Sequence, residues 1–179
     1  MCHETPRRSK RIAPASVTFA AVPAVLRFDA VLEGFEGVSR AIEVREDQTL
    51  ADLHEGLREA FGWSDDHLYS FWLDGRFWGS RSTEYTAPVE PDEDVATADV
   101  VISEIGLKSG AEIAYVFDFG DNWRVSLRLA GRADDEGARY PRVVAAAGDA
   151  PPQYSTRTRM RAERGLPNGR PPTSRRRRL

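Results

Sequence analysis

The chain has a single cysteine, Cys2, which excludes an internal disulfide and any zinc site built from several thiolates. It has no apolar run near the roughly 18 residues a membrane helix needs. Its opening, "MCHETPRRSKRIAPAS", lacks the apolar stretch of roughly 7–15 residues of a secretory signal. These absences lead us to expect a cytoplasmic protein with no membrane contact. What is present is 179 residues with 41% hydrophobic content, enough for one ordinary domain with its own core.

Positive charge is scarce through the middle of the chain. The net charge of −3 conceals four bases before Ile12 and nine arginines after Thr156, each end holding one acid. Residues 12–156 therefore carry 12 bases against 26 acids, about −14. Such a body repels a phosphate backbone, so any nucleic-acid affinity falls to the ends, Arg175, Arg176, Arg177 and Arg178 above all. Residues 1–20 and 153–179 are rich in Arg and Pro and poor in apolar side chains. We expect both to be disordered arms on a domain spanning 21–152.

Within that domain Leu26, Phe28, Ala30 and Leu32 alternate with Arg27, Asp29 and Glu33, the period of a half-buried strand. "EGFEG" is a glycine-rich turn, and Val38, Ile42 and Val44 continue as a second strand, so residues 24–44 read as a hairpin. The period then becomes helical, with Leu50, Leu53, Leu57, Ala60 and Phe61 on one stripe. Thr49 with Asp52 forms a capping-box pattern, and Gly62 is placed to end the helix. Residues 67–80 read as two short strands about the Asp74-Gly75 turn, and 81–98 as an exposed acidic loop without the spacing of a calcium-binding loop. Residues 99–110 offer a short strand or helical turn.

The richest stretch is "YVFDFGDNWRV", residues 115–125. Ile113, Tyr115, Phe117 and Phe119 share one parity, as do Trp123, Val125, Leu127 and Leu129. A three-residue loop, Gly120-Asp121-Asn122, would pair Phe119 with Trp123 and Phe117 with Val125, sending all eight inward. It would also set Asp118 opposite Arg124 as a cross-strand ion pair and leave Asp121 to cap backbone N–H groups at the tip.

"AYVFDFGDNWRVSLRL" resembles the Tyr-x-Tyr-Asp-Phe-Gly-Asp-x-Trp signature of the Ri-plasmid open-reading-frame-three-like family, whose members are also labelled transposon passenger, TnpR-like proteins. "TLADLHEGLREAFGWSDDHLYSFWLDGRFW" and "YPRVVAAAGDAPP" resemble two further blocks of that family, in order, over residues 24–152. The resemblance implies a compact α+β domain carried on mobile elements and no established activity. The sequence departs from the family after Pro152, where an acidic pair and a diglycine give way to "QYSTRTRMRAERG", a swing that a shifted reading frame would also produce.

The expected fold class is thus α+β: one domain, a mixed or mostly antiparallel sheet built from hairpins, and one main helix across it with a β-grasp-like opening. Its leading function is that of a plasmid- or transposon-associated accessory protein, a non-enzymatic protein-interaction module with no cofactor. The candidate surface comprises His67, Trp72, Asp118, Gly120, Asp121, Trp123 and Tyr140. Trp72 has the parity opposite Phe71 and Leu73 and is placed in an exposed aromatic patch facing a protein partner. One alternative is a metal-dependent hydrolase or nuclease-like enzyme drawing on Asp118 and Asp121 with His54, His67, Asp65 or Asp66. His54, beside Leu53, has the simpler reading of a helix-flank or part-core residue. The other alternative is weak, non-specific nucleic-acid binding through the arginine tail. "DFG" matches the magnesium motif of kinases, but the chain lacks every other kinase element. A resolvase would need an activated serine among arginines followed by a basic DNA-binding helix-turn-helix, and the acidic body shows no such arrangement.

Overall fold

A computed structural model describes residues 22–64, 67–89 and 94–154. Strand β1 (Val25–Leu32) turns back into β2 (Ser39–Arg45), and helix α1 (Leu50–Phe61) follows. Then come β3 (Tyr69–Trp72), β4 (Glu84–Thr86), β5 (Ala96–Thr97), β6 (Glu112–Phe117), β7 (Trp123–Ala133) and β8 (Arg142–Ala147). Short 3-10 turns occupy Arg81–Thr83 and Ile102–Ile105. The eight strands form one sheet in the order β5-β4-β3-β6-β7-β1-β2-β8, antiparallel throughout except for β4 with β5.

The core lies on one face of this sheet. Leu26, Phe28, Ala30 and Leu32 of β1 are at most 1% exposed. In register beside them are Ile42 and Val44 of β2 and Val125, Leu127 and Leu129 of β7. Each of these side chains except Ala30 contributes roughly 1.5–3 kcal/mol on burial. The helix lays Leu50, Leu53, Leu57 and Phe61 over that face. It starts at Thr49, whose Oγ1 accepts from Asp52 N–H at 3.1 Å while the Asp52 carboxylate accepts from Thr49 N–H at 2.8 Å. This reciprocal cap contributes about 1 kcal/mol. The helix ends at left-handed Gly62, with Trp63 N–H donating back to Arg58 O. A Cβ on mid-helix Gly56 would lie 2.9 Å from Pro141 Cβ and 3.2 Å from Ile42 Cγ2, so glycine lets the helix approach this closely. His54 is 3% exposed, hydrogen-bonded to Tyr115 Oη at 2.7 Å and stacked on Tyr69, which makes it a core residue.

The second face carries a smaller cluster. Trp72, Ala114 and Val116 are buried there beneath the half-buried rings of Phe77, Trp78 and Phe119. Trp72 is 2% exposed, which corrects its assignment to an open patch. Trp72 does face away from the main core, but Phe77 and Trp78 of the following loop pack over it.

Four further expectations are revised. Residues 67–80 hold one strand, because the chain turns at Asp74-Gly75 and residues 77–78 form another turn, leaving β3 to pair with β4 and β6. Residues 81–98 contain β4 and β5 as well as loop. The β6–β7 hairpin pairs Phe117 with Trp123 and Tyr115 with Val125, so its loop is Asp118–Asn122, five residues long. Shifting the pairing by two keeps every inward face but moves Phe119 to the second cluster and opposes Val116, not Asp118, to Arg124. Asp118 therefore does not face Arg124, and its carboxylate caps the N–H groups of Gly120 and Asp121 in the loop. Strand β8, which no periodicity marked, adds an edge beside β2. The acids 90, 92 and 93, the arm 1–20, the arm 153–179 beyond Tyr154, and Asp65 and Asp66 lie outside the described residues.

Candidate functional site

The antiparallel register of β3 on β6 pairs Tyr69 with Phe117, so one step further Leu68 meets Asp118. Asp118 N–H donates to Leu68 O at 2.9 Å, which brings His67 beside the hairpin loop. Asp118 has φ +54, a left-handed backbone uncommon outside glycine. Its Oδ1 accepts from the N–H groups of Gly120 at 3.0 Å and Asp121 at 3.1 Å. Its Oδ2 faces His67 Nε2 at 3.6 Å. The same ring nitrogen lies 3.1 Å from Tyr154 Oη, which lies 2.8 Å from Ser64 Oγ.

Ser64 directly follows the turn that ends α1, and Gln153 holds it in place. Gln153 Oε1 accepts from Ser64 N–H at 2.7 Å and from its hydroxyl at 3.2 Å. Gln153 is 7% exposed, and its Nε2 is buried without an acceptor among the described residues. Four chain segments thus meet at one end of the sheet: the exit from α1, the entry to β3, the β6–β7 loop, and the segment of Gln153 and Tyr154.

Beneath them Phe117 stacks on Trp63 and takes the edge of His67, while Trp123 packs against Trp63 and Phe35. Trp123 is therefore a buried floor, not a contact surface. On the far side of the loop Asn122, at φ +58, accepts from Trp78 Nε1 at 3.2 Å, and Trp78 itself has φ +57. Arg124 lies over the Phe77 ring, and burial lowers its guanidinium below the ordinary arginine value against the raising pull of Glu33.

Of the sequence candidates, His67, Asp118, Gly120 and Asp121 come together. Trp72 lies on the opposite sheet face. Tyr140 lies elsewhere, its carbonyl accepting from Gln48 and its ring under Arg142, in the wall of an open depression of about 990 Å³ along α1. Arg142 in that wall is raised by its hydrogen bond to Glu43. Ser64, Gln153 and Tyr154 were missed. The available signal was Tyr154, the single aromatic residue after Pro152 in an arginine-rich run. Nowhere among the described residues do three or more His, Cys, Asp or Glu side chains gather as metal ligands. No helix among them is long and apolar enough to cross a membrane.

Fold and site together define a single α+β domain, among the described residues one α-helix on a mixed eight-stranded sheet, with a strained polar hairpin tip. The chain belongs to the plasmid pRiA4b ORF-3-like protein family, whose model matches residues 25–155. It is 30% identical over 134 residues to "Uncharacterized protein y4hQ" of Sinorhizobium fredii, a match covering 74% of this chain and 66% of that protein, just under two thirds of its length. Among solved structures it resembles a protein of unknown function, MM3350 from Methanosarcina mazei Go1, with TM-score 0.63 and 26% identity over 75% of each chain.

Proposed function

We propose that this domain is a non-enzymatic protein-interaction module that presents its hairpin tip to a basic protein segment. The observation that carries this reading is the strain gathered there. Trp78, Asp118 and Asn122 are the non-glycine residues with positive φ among those described, and all three belong to two loops joined by the Trp78–Asn122 hydrogen bond. Backbone strain of this kind costs on the order of 1–3 kcal/mol per residue and collects where side-chain placement matters. Acidic groups at the tip, beside the half-buried rings of Phe77, Trp78 and Phe119, suit a lysine or arginine flanked by apolar contacts.

Catalysis has less support. A nucleophile–base–acid relay uses both nitrogens of a histidine, whereas Asp118 and Tyr154 meet the same Nε2 of His67. The test is a photo-crosslinking residue at Gly120, compared with one at exposed Glu104. A species captured only from position 120 should be identified and then bind the purified chain, with at least tenfold loss in Asp121→Lys. Equal capture from both positions, or unchanged affinity in Asp121→Lys, rejects the reading. The nine arginines after Thr156 support a separate role in nucleic-acid binding. A salt-dependent mobility shift seen with the full chain and lost on ending it at Tyr154 would carry that role.

A further inference from the structure

We propose that His67 and Asp118 chelate a divalent transition-metal ion of the zinc type, with the Tyr154 hydroxyl as third donor. His67 Nε2 lies 3.1 Å from Tyr154 Oη and faces Asp118 Oδ2 across a wider gap. A charged histidine–carboxylate hydrogen bond closes to roughly 2.7–2.9 Å. His67 Nε2 and Asp118 Oδ2 stand 3.6 Å apart, too long for such a bond. Neither residue sits on a loose loop: Leu68 and Asp118 are joined by a backbone hydrogen bond, and β3 and β6 are zipped from Tyr69–Phe117 onward. Ligands at about 2.05 Å (N) and 2.1 Å (O) from a tetrahedral zinc lie about 3.4 Å apart. The observed gap is therefore close to a metal bite.

The surroundings agree with that assignment. The second carboxylate oxygen of Asp118 is held by two backbone N–H groups, which aims Oδ2 at the histidine as outer-shell partners aim a ligating carboxylate. Tyr154 Oη lies 3.1 Å from the same ring nitrogen, within the spacing of neighbouring ligands. Ser64 Oγ holds that phenol at 2.8 Å. The His67 side chain is 31% exposed, which leaves an entry path and room for water in the remaining position. One imidazole and one carboxylate favour zinc, nickel or cobalt over magnesium and calcium, which prefer all-oxygen sites.

Isothermal titration with Zn²⁺ and Ni²⁺ tests the site in the full chain carrying Cys2→Ser and His3→Ala, which removes the competing donors of the N-terminus. We expect one equivalent to bind with micromolar affinity and to raise the melting temperature. His67→Ala should weaken binding at least tenfold and abolish the thermal shift, and Tyr154→Phe should weaken it about threefold. His67→Ala alters a partly exposed side chain, so circular dichroism should show it folded. Absence of binding in the parent, or affinity unchanged in folded His67→Ala, overturns the proposal.

Discussion

The two long hairpins of this sheet solve the same problem with different residues. The β1–β2 loop reaches positive φ through Gly34 and Gly37, with values of +81 and +78. The β6–β7 loop reaches it through Asp118 and Asn122, at +54 and +58. Glycine adopts that conformation without a steric penalty, whereas an L side chain there costs roughly 1–2 kcal/mol. The first loop packs Phe35 against Trp123, but its positive-φ residues are glycines with no side chain to bond. In the second, the side chains that incur the penalty are the ones that bond: Asp118 to two N–H groups and Asn122 to Trp78. Strain is tolerated where the side chain is needed.

Asp118→Ala should do the most damage to this contrast. It keeps the strained backbone and removes the cap, and we expect a loss of about 2–3 kcal/mol in urea unfolding at unchanged m. Asp118→Gly loses the same cap but relieves φ, so it should recover about 1 kcal/mol relative to alanine. Equal midpoints for the two variants would break the comparison. Gly34→Ala isolates the backbone term, since an added Cβ there meets nothing within 4 Å. It should cost about 1 kcal/mol. The smallest effect belongs to Asn122→Gly, where relief of φ opposes loss of the Trp78 acceptor and the net change stays within about 0.5 kcal/mol. A loss well above that would make the Trp78 bond worth more than the strain it requires.

What the sequence disclosed follows the range of each signal. Helix α1 and its Thr49–Asp52 cap are local and periodic, and were read to the residue. The β1–β2 hairpin was equally plain. In the second hairpin, parity fixes which residues face inward but only modulo two, so loops of three and five residues were indistinguishable by facing alone. The true register is set by packing: Phe119 fits against Trp78 on the second face, a contact with a loop some forty residues earlier. Strands β4 and β5 are three and two residues long, and β8 is exposed almost throughout, so none carries a pattern of its own. The tip cluster was half visible. His67 and Asp118 were marked by residue type, while Ser64, Gln153 and Tyr154 reach the site only through the folded path of the chain.

The strand order also governs the timing of assembly. Inside the sheet β1 joins β7, pairing Leu32 with Val125 and Val25 with Ala133. The first strand to be made must therefore wait for nearly the last before its second edge closes. Contacts this distant along the chain slow folding, because loop closure precedes any gain from pairing. During synthesis β1, β2 and α1 are complete at Phe61, about sixty residues before β7 begins at Trp123, a gap of several seconds at roughly 5–20 residues per second. A nascent chain stopped before Trp123 lacks all of β7, so the second edge of β1 would be left as an unpaired strand edge open to wrong partners.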